Sequence, residues 1–148
     1  MKRRHWSGIV IACILLMITG CGNEFPVLPD NPIEFHTGTF VNPEDEEDTF
    51  SSIEYDGRTY IIYGALKGRI SKSDIESCLG FIVQDGEKMA DVRVYRLKAD
   101  PDANYLVEYL TEGEMEQPTF LRAIDTAGEA IYTPPFIDDL GYQFWNGQ

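Results

Sequence analysis

Carboxylates are the only chemically active side chains that are abundant in this sequence. The 148-residue chain has 25 Asp and Glu residues but only two histidines, His5 and His36. The motifs G-x-S-x-G, H-E-x-x-H, C-x-x-C, G-x-G-x-x-G and the P-loop are all absent. Two carboxylates can hydrolyse a glycosidic bond, but in so acidic a chain some pair must fall close by accident. A glycan hydrolase is therefore an alternative only, and we expect no catalytic residue, cofactor or metal.

The N-terminus has the three parts of an export signal. Lys2, Arg3 and Arg4 form a basic head, residues 9–18 are an unbroken apolar run, and Thr19 and Gly20 are small. A helix that spans a bilayer needs about 20 apolar residues, because each adds only about 1.5 Å. This run is half that length, so we predict that residues 1–20 are a signal peptide and not a membrane anchor.

The end of this signal, Ile18-Thr19-Gly20-Cys21, resembles the lipobox of bacterial membrane lipoproteins. The resemblance implies that the Cys21 thiol receives diacylglycerol, that cleavage falls between Gly20 and Cys21, and that a further acyl chain such as palmitate follows. Each buried methylene contributes about 0.8 kcal/mol, so two or three chains hold a protein firmly on a membrane. The implied location is the extracytoplasmic face of the cell membrane, or the outer membrane in a Gram-negative cell. The alternatives are an ordinary thiol after a conventional signal, or a hydrophobic core helix.

Loss of the signal would make the chain more acidic. Removing three basic residues leaves 9 Lys and Arg against 25 Asp and Glu, a formal net charge of −16. Such a surface repels nucleic-acid phosphate and anionic headgroups. We therefore expect no nucleic-acid binding and a membrane contact through lipid alone. A cationic peptide or an envelope protein would be a favoured partner, although acidity also keeps an exported protein soluble.

Cys78 would be the one cysteine left for chemistry in the mature chain. It sits between Ile75 and Leu79 in an apolar patch, where a free cysteine usually packs as a small hydrophobe. A nucleophilic thiolate needs a nearby cation or base. We predict a structural thiol and no intramolecular disulfide.

Residues 21–48 are predicted to be the lipidated cysteine and a Pro-rich acidic tether. Prolines recur at positions 26, 29, 32 and 43, and residues 44–48 are all acidic. A calcium loop is disfavoured, because this run has no glycine for the turn. Residues 33–35 and 39–41 have a strand-like pattern, so whether they join the domain is left open.

Residues 49–148 are predicted to form a single β-rich domain. The turns Asp56-Gly57 and Asp85-Gly86 are strong hairpin signals; they set Ile53 opposite Tyr60, and Ile82 opposite Met89. Residues 105–110, 119–124 and 129–133 complete the predicted strands. A capping box at residues 73–76 predicts a short helix that ends at Gly80, and Pro134-Pro135 predicts a second that ends near Gly141. The expected fold class is α+β, mainly β, an antiparallel meander with one or two short helices.

Eight tyrosines lie in this domain, and they suit half-buried strand positions or a binding face equally. At alternating strand positions the core interpretation is favoured. We also expect a structural cation–π contact between Tyr55 and Arg58.

The segment from Tyr55 to Gly64, with Lys67-Gly68 and Cys78-Leu79-Gly80, is similar to small lipoproteins of Gram-positive gut bacteria. More distantly it resembles lantibiotic-immunity lipoproteins, which intercept a cationic membrane-active peptide outside the cell. The sequence as a whole favours a lipid-anchored, non-catalytic binding module at the cell envelope. The alternatives are an immunity-type lipoprotein and an envelope glycan hydrolase, and the ligand-binding residues stay unknown.

Overall fold

Short turns separate long extended segments in the computed structural model, which describes residues 25–111 and 118–139. Within those ranges nine strands belong to one sheet, and the only helix is a single 3-10 turn at Ile124–Thr126. The strands are β1 Ile33–His36, β2 Gly38–Asn42, β3 Asp45–Tyr55, β4 Arg58–Leu66, β5 Ile75–Gln84, β6 Glu87–Leu97, β7 Tyr105–Leu110, β8 Thr119–Ala123 and β9 Ile137–Asp139. The mainly β class is confirmed.

The Asp56-Gly57 turn joins β3 to β4 in the predicted register. Asp56 and Gly57 have φ values of 51° and 74°, which a two-residue hairpin turn requires and which Asp and Gly tolerate. Ile53 pairs with Tyr60, as predicted.

The Asp85-Gly86 hairpin between β5 and β6 follows its prediction only near the turn. Ile82 pairs with Met89 as expected, but Phe81 pairs with Arg93, whereas an unbroken register would place it opposite Ala90. A bulge in β6 takes up the extra residues. Bulges increase local twist, and a sheet that curls as strongly as this one needs that twist.

Two meanders make up the sheet, whose order is β1-β5-β6-β7-β8-β4-β3-β2 with β9 added to β4. The β4–β8 pairing joins β2–β4 to β5–β8, and β1 pairs with β5 in parallel. One residue, Thr37, links β1 at one end of this order to β2 at the other. The sheet is therefore curled until the chain itself connects its two edges.

Gly80 makes the β1–β5 pairing possible. A Cβ atom at Gly80 would lie 1.9 Å from the carbonyl oxygen of Ile33, far closer than any real contact. Because β1 connects the two edges, this one glycine is required for the curl to close.

Each face of the curled sheet has its own apolar cluster. The inner cluster comprises Phe35, Ile53, Tyr60, Ile82, Val94, Leu106, Leu121 and Ala123. The outer cluster is larger, and segments around residues 25–28 and 131–137 pack on it. Both faces of the sheet are therefore covered.

The two predicted helices are wrong where the structure describes them. Residues 75–80 lie in β5, because their apolar side chains are buried by the pairing with β6. Ser73 and Asp74 belong to a turn in which the Asp74 carboxylate accepts from the Ser71 N–H at 2.7 Å. Residues 137–139 form β9, and residues 140–141 lie outside the described ranges.

The predicted strand at residues 129–133 is also wrong. This segment has no strand partner and crosses the outer face, where Ile131 packs on the core.

The open question about residues 33–41 is answered, since they form β1 and most of β2. Part of the acidic run, Asp45 to Asp48, begins β3. Pairing in the sheet therefore starts well inside the segment predicted to be tether.

Candidate functional site

A cavity of about 190 Å³ lies inside one end of the curled sheet, which we call the open end. It is where β5 and β7 finish and β6 and β8 begin. Every strand from β3 to β8 contributes a lining residue, as does Thr37. Alternation along each strand brings these side chains inward, so the whole sheet positions the site.

The walls of this cavity are mixed and partly accessible. Half of the lining residues are apolar, namely Ile62, Ile82, Met89, Val92 and Leu110, and the other half are polar. Ile62 and Met89 are 41% and 38% exposed. Apolar walls with access to solvent are a general property of ligand sites.

Glu108 is the one carboxylate among the described lining residues. It lies on β7 opposite Thr119 of β8. The remaining polar groups are Thr37, Ser51 and Gln84. The cavity can therefore hold an apolar group and offer it an anionic neighbour.

An acidic hairpin extends from the same end of the sheet. β2 and β3 run past the cavity residue Ser51 to a tip that contains residues 44–48. The Asn42 amide donates to Asp48 at 3.0 Å and accepts from the Glu44 N–H at 3.0 Å. Over the described residues, no group of three or more His, Cys, Asp or Glu side chains is arranged to hold a metal.

The opposite end of the curl, which we call the sealed end, is closed by Arg58. Its guanidinium donates to both carboxylate oxygens of Asp125, at 2.9 and 2.7 Å. It also donates to the carbonyls of Asp102 and Ala103, at 2.9 and 3.1 Å, and to the Asn104 side chain at 3.0 Å. The bidentate hydrogen bond from Arg58 lowers the pKa of Asp125 and raises the pKa of Arg58.

Buried polar groups complete the sealed end. The Tyr60 hydroxyl donates to the Ala103 carbonyl at 2.6 Å, and burial raises the pKa of Tyr60 to about 12. The Asp100 carboxylate accepts from the Tyr105 N–H at 2.6 Å, while burial raises its pKa. Both side chains bond to backbone groups between residues 103 and 105, so their hydrogen bonds stabilise this end of the sheet.

Four of the tyrosines confirm the core interpretation. Tyr60, Tyr63, Tyr95 and Tyr105 are fully buried. The expected cation–π contact goes to a different ring, with the Arg58 guanidinium 5.7 Å from the centre of Tyr60.

Cys78 is buried in the outer cluster and is a free thiol. Its sulfur approaches the Gly80 carbonyl at 3.7 Å, and burial raises the pKa of the thiol. This is the environment of a structural cysteine. His36 lies exposed on β1, whereas Gly20, Cys21 and the signal lie outside the described residues.

Two features of the structure were not predicted from the sequence, the cavity and a buried arginine. The cavity exists because the sheet curls, and the curl depends on pairing between strands that are far apart in the sequence. Glu108 gave a local signal, because it is a charged residue on the inward face of β7, between Leu106 and Leu110. The second is Arg122, buried on β8, whose guanidinium donates to the hydroxyl and carbonyl of Thr126 at 2.8 Å each and lies 5.0 Å from the Tyr63 ring.

In the part of the chain that the structure describes, no helix is long and apolar enough to cross a membrane. Comparison with protein-family models, with curated proteins and with solved structures gives no significant match.

Proposed function

We propose that this protein is a bacterial lipoprotein, anchored at the extracytoplasmic face of a membrane through Cys21. The observation that supports the anchor is the succession of a basic head, a ten-residue apolar run and Ile18-Thr19-Gly20-Cys21.

Replacement of the anchor residue tests this proposal. Cells that express Cys21→Ser should contain a protein that does not incorporate labelled fatty acid and stays uncleaved or is released. Cys78→Ser is the matched control and should be labelled like the wild type. Undiminished labelling of Cys21→Ser would contradict the proposal.

The domain is a non-catalytic binding module that takes its ligand at the open end. The observation that carries this is the cavity, to which every strand from β3 to β8 contributes a side chain. At the sealed end, the polar side chains form hydrogen bonds with other groups of the same end. At the open end, two apolar side chains, Ile62 and Met89, are exposed. Exposed apolar rims are a common feature of interaction sites.

A cationic, partly apolar peptide is the ligand class that charge favours. The mature chain has a net charge of −16, Glu108 lines the cavity, and the tip at residues 44–48 extends from the same end. An immunity-type role, in which such a peptide is sequestered before it reaches the membrane, is the second candidate on the same grounds.

The glycan-hydrolase alternative has less support. It needs two carboxyl groups about 5–10 Å apart across a cleft. The cavity lining within the described ranges supplies one, Glu108.

A defined peptide pair tests the binding function. A helical peptide of Lys and Leu, and a counterpart with Glu in place of Lys, are titrated into the lipidated protein in detergent. We expect saturable, salt-sensitive binding of the Lys peptide that Ile62→Asp and Glu108→Gln both weaken. Tyr132→Ala, which alters an exposed aromatic residue outside the cavity, should bind like the wild type. Equal binding of both peptides, or of all variants, would contradict the proposal.

A further inference from the structure

The chain docks on the sheet almost immediately after the proposed anchor. The Phe25 ring stacks on Tyr109, with ring centres 4.8 Å apart and planes 25° apart, and lies 5.7 Å from Tyr95. Tyr95 and Tyr109 lie on the outer face of β6 and β7. Only residues 22–24 separate Cys21 from this docked residue.

This short connection limits the distance between lipid and domain. Consecutive residues advance at most about 3.6 Å, so four steps from Cys21 to Phe25 span no more than about 14 Å. A flexible tether of the 27 residues first predicted would have an r.m.s. span of roughly 28 Å. The headgroup region on one side of a bilayer is itself about 5–8 Å thick. Even a fully extended connection would therefore leave a domain docked at Phe25 at most about 6–9 Å beyond the headgroups, whereas the longer tether would hold it well clear.

We propose that the outer face of β6 and β7 around Phe25 is a membrane-facing surface that lies against lipid headgroups. This inference rests on the proposed lipid anchor, and it adds a contact made by the protein to the contact through lipid alone that the net charge led us to expect. Val27, two residues beyond Phe25, is 75% exposed, so on this proposal it meets the headgroup region.

The distribution of charge agrees with this orientation. In the strand order, β2 and β3 lie across the curl from β6 and β7, so the acidic tip at residues 44–48 faces away from the membrane. On the membrane-facing surface itself, Arg93, the register partner of Tyr109, is accompanied by the exposed Asp91 two residues earlier, so this face does not share the excess negative charge of the tip. Anionic headgroups repel acidic groups and attract basic ones within about 10 Å at ordinary ionic strength.

Contact quenching by lipid tests the orientation. Val27→Cys and Glu47→Cys, each in a Cys78→Ala background, are labelled with a fluorophore after purification of the full lipidated protein. The proteins are reconstituted into phosphatidylcholine–phosphatidylglycerol vesicles that contain a headgroup nitroxide quencher. We expect several-fold stronger quenching at position 27 than at position 47. Adding Phe25→Ala should reduce that difference, whereas adding Asp30→Ala, which changes an exposed neighbour, should not.

The outcomes separate this inference from the anchor proposal. Fatty-acid incorporation is measured on every sample first, and its absence at Cys21 would overturn the anchor itself. With incorporation intact, equal quenching at both positions would overturn the orientation and leave the anchor standing. Quenching that Phe25→Ala leaves unchanged would show that docking at Phe25 does not set the distance.

Discussion

The two ends of the curled sheet use the same strands for opposite purposes. At the sealed end, Arg58, Tyr60 and Asp100 bond to carbonyls, amides and carboxylates of neighbouring loops. At the open end, a cavity holds one carboxylate, and Ile62 and Met89 are partly exposed. Satisfied polar groups rigidify a structure, whereas accessible apolar walls favour a ligand. The difference teaches that a small β domain can concentrate its stability at one end and leave the other for binding.

The two ends of the curled sheet exist only if the sheet closes. Gly80→Ala should prevent this closure, and we expect it to cause the largest loss of stability. The new Cβ would meet the Ile33 carbonyl at 1.9 Å, so β1 must move away from β5. Because backbone atoms cannot yield as a flexible side chain does, we expect a loss of about 3 kcal/mol or more in the free energy of unfolding. Urea unfolding measures it, with amide exchange in β1 as a local readout.

Gly68→Ala is the matched control for this change. Nothing lies within 4 Å of a Cβ at Gly68, so its midpoint should match the wild type. Equal midpoints for Gly80→Ala and Gly68→Ala would contradict the closed sheet.

Arg58→Met should weaken the sealed end and leave the open end intact. It removes the donors to Asp125, Asn104 and two carbonyls. The pair with Asp125 is partly exposed, so we expect a loss of about 2 kcal/mol, less than the sum of the separate bonds. The affinity of the folded variant for the Lys peptide should not change. Arg69→Met, at an exposed position, is the control, and an equal effect of both variants would refute the special role of Arg58.

Asp125→Asn should produce the smallest loss of stability, and this loss should disappear in acid, where Asp125 of the wild type is protonated. The lowered pKa of Asp125 means that its ionised form adds stability above its usual pKa of 3.8, which is lost as pH falls through the lower folded value. The raised pKa of Asp100 changes stability with pH in the opposite direction. Because Asp100 is present in both proteins, it does not alter the difference between them.

As the pH falls below 3.8, the free energy of unfolding of the wild type should therefore decrease more steeply than that of Asp125→Asn. Near neutrality the two should differ by less than about 1 kcal/mol, because the Asp125 side chain is 56% exposed. Glu46→Gln should follow the wild-type curve. Parallel curves for wild type and Asp125→Asn would show that the ion pair contributes nothing.

Local signals predicted the parts of this fold that local chemistry determines. Asp56-Gly57 and Asp85-Gly86 gave two hairpins, because their positive φ values are intrinsic to those residue types. The alternation at residues 105–110 gave β7 and its outward tyrosines. The capping box at residues 73–76 was misleading, since pairing with β6 outweighs the small preference of so short a helix.

Long-range contacts determine the features that the sequence did not reveal. The parallel pairing of β1 with β5 follows from the bare Gly80 backbone. Arg58 and Asp125 are 67 residues apart, and no local pattern links them. The candidate cavity needs six strands in the right order, so only Glu108, charged on an otherwise apolar inward face, pointed towards it.

The most direct test of the binding account is amide hydrogen exchange on the lipidated protein, with and without the Lys and Leu peptide. We predict added protection at the open end, in the last residues of β5 and β7 and the first of β6 and β8. The loops around Asp102 and Asp125 at the sealed end should be unchanged, as should the whole protein with the Glu peptide. Protection at the sealed end alone, or equal protection by both peptides, would contradict the account.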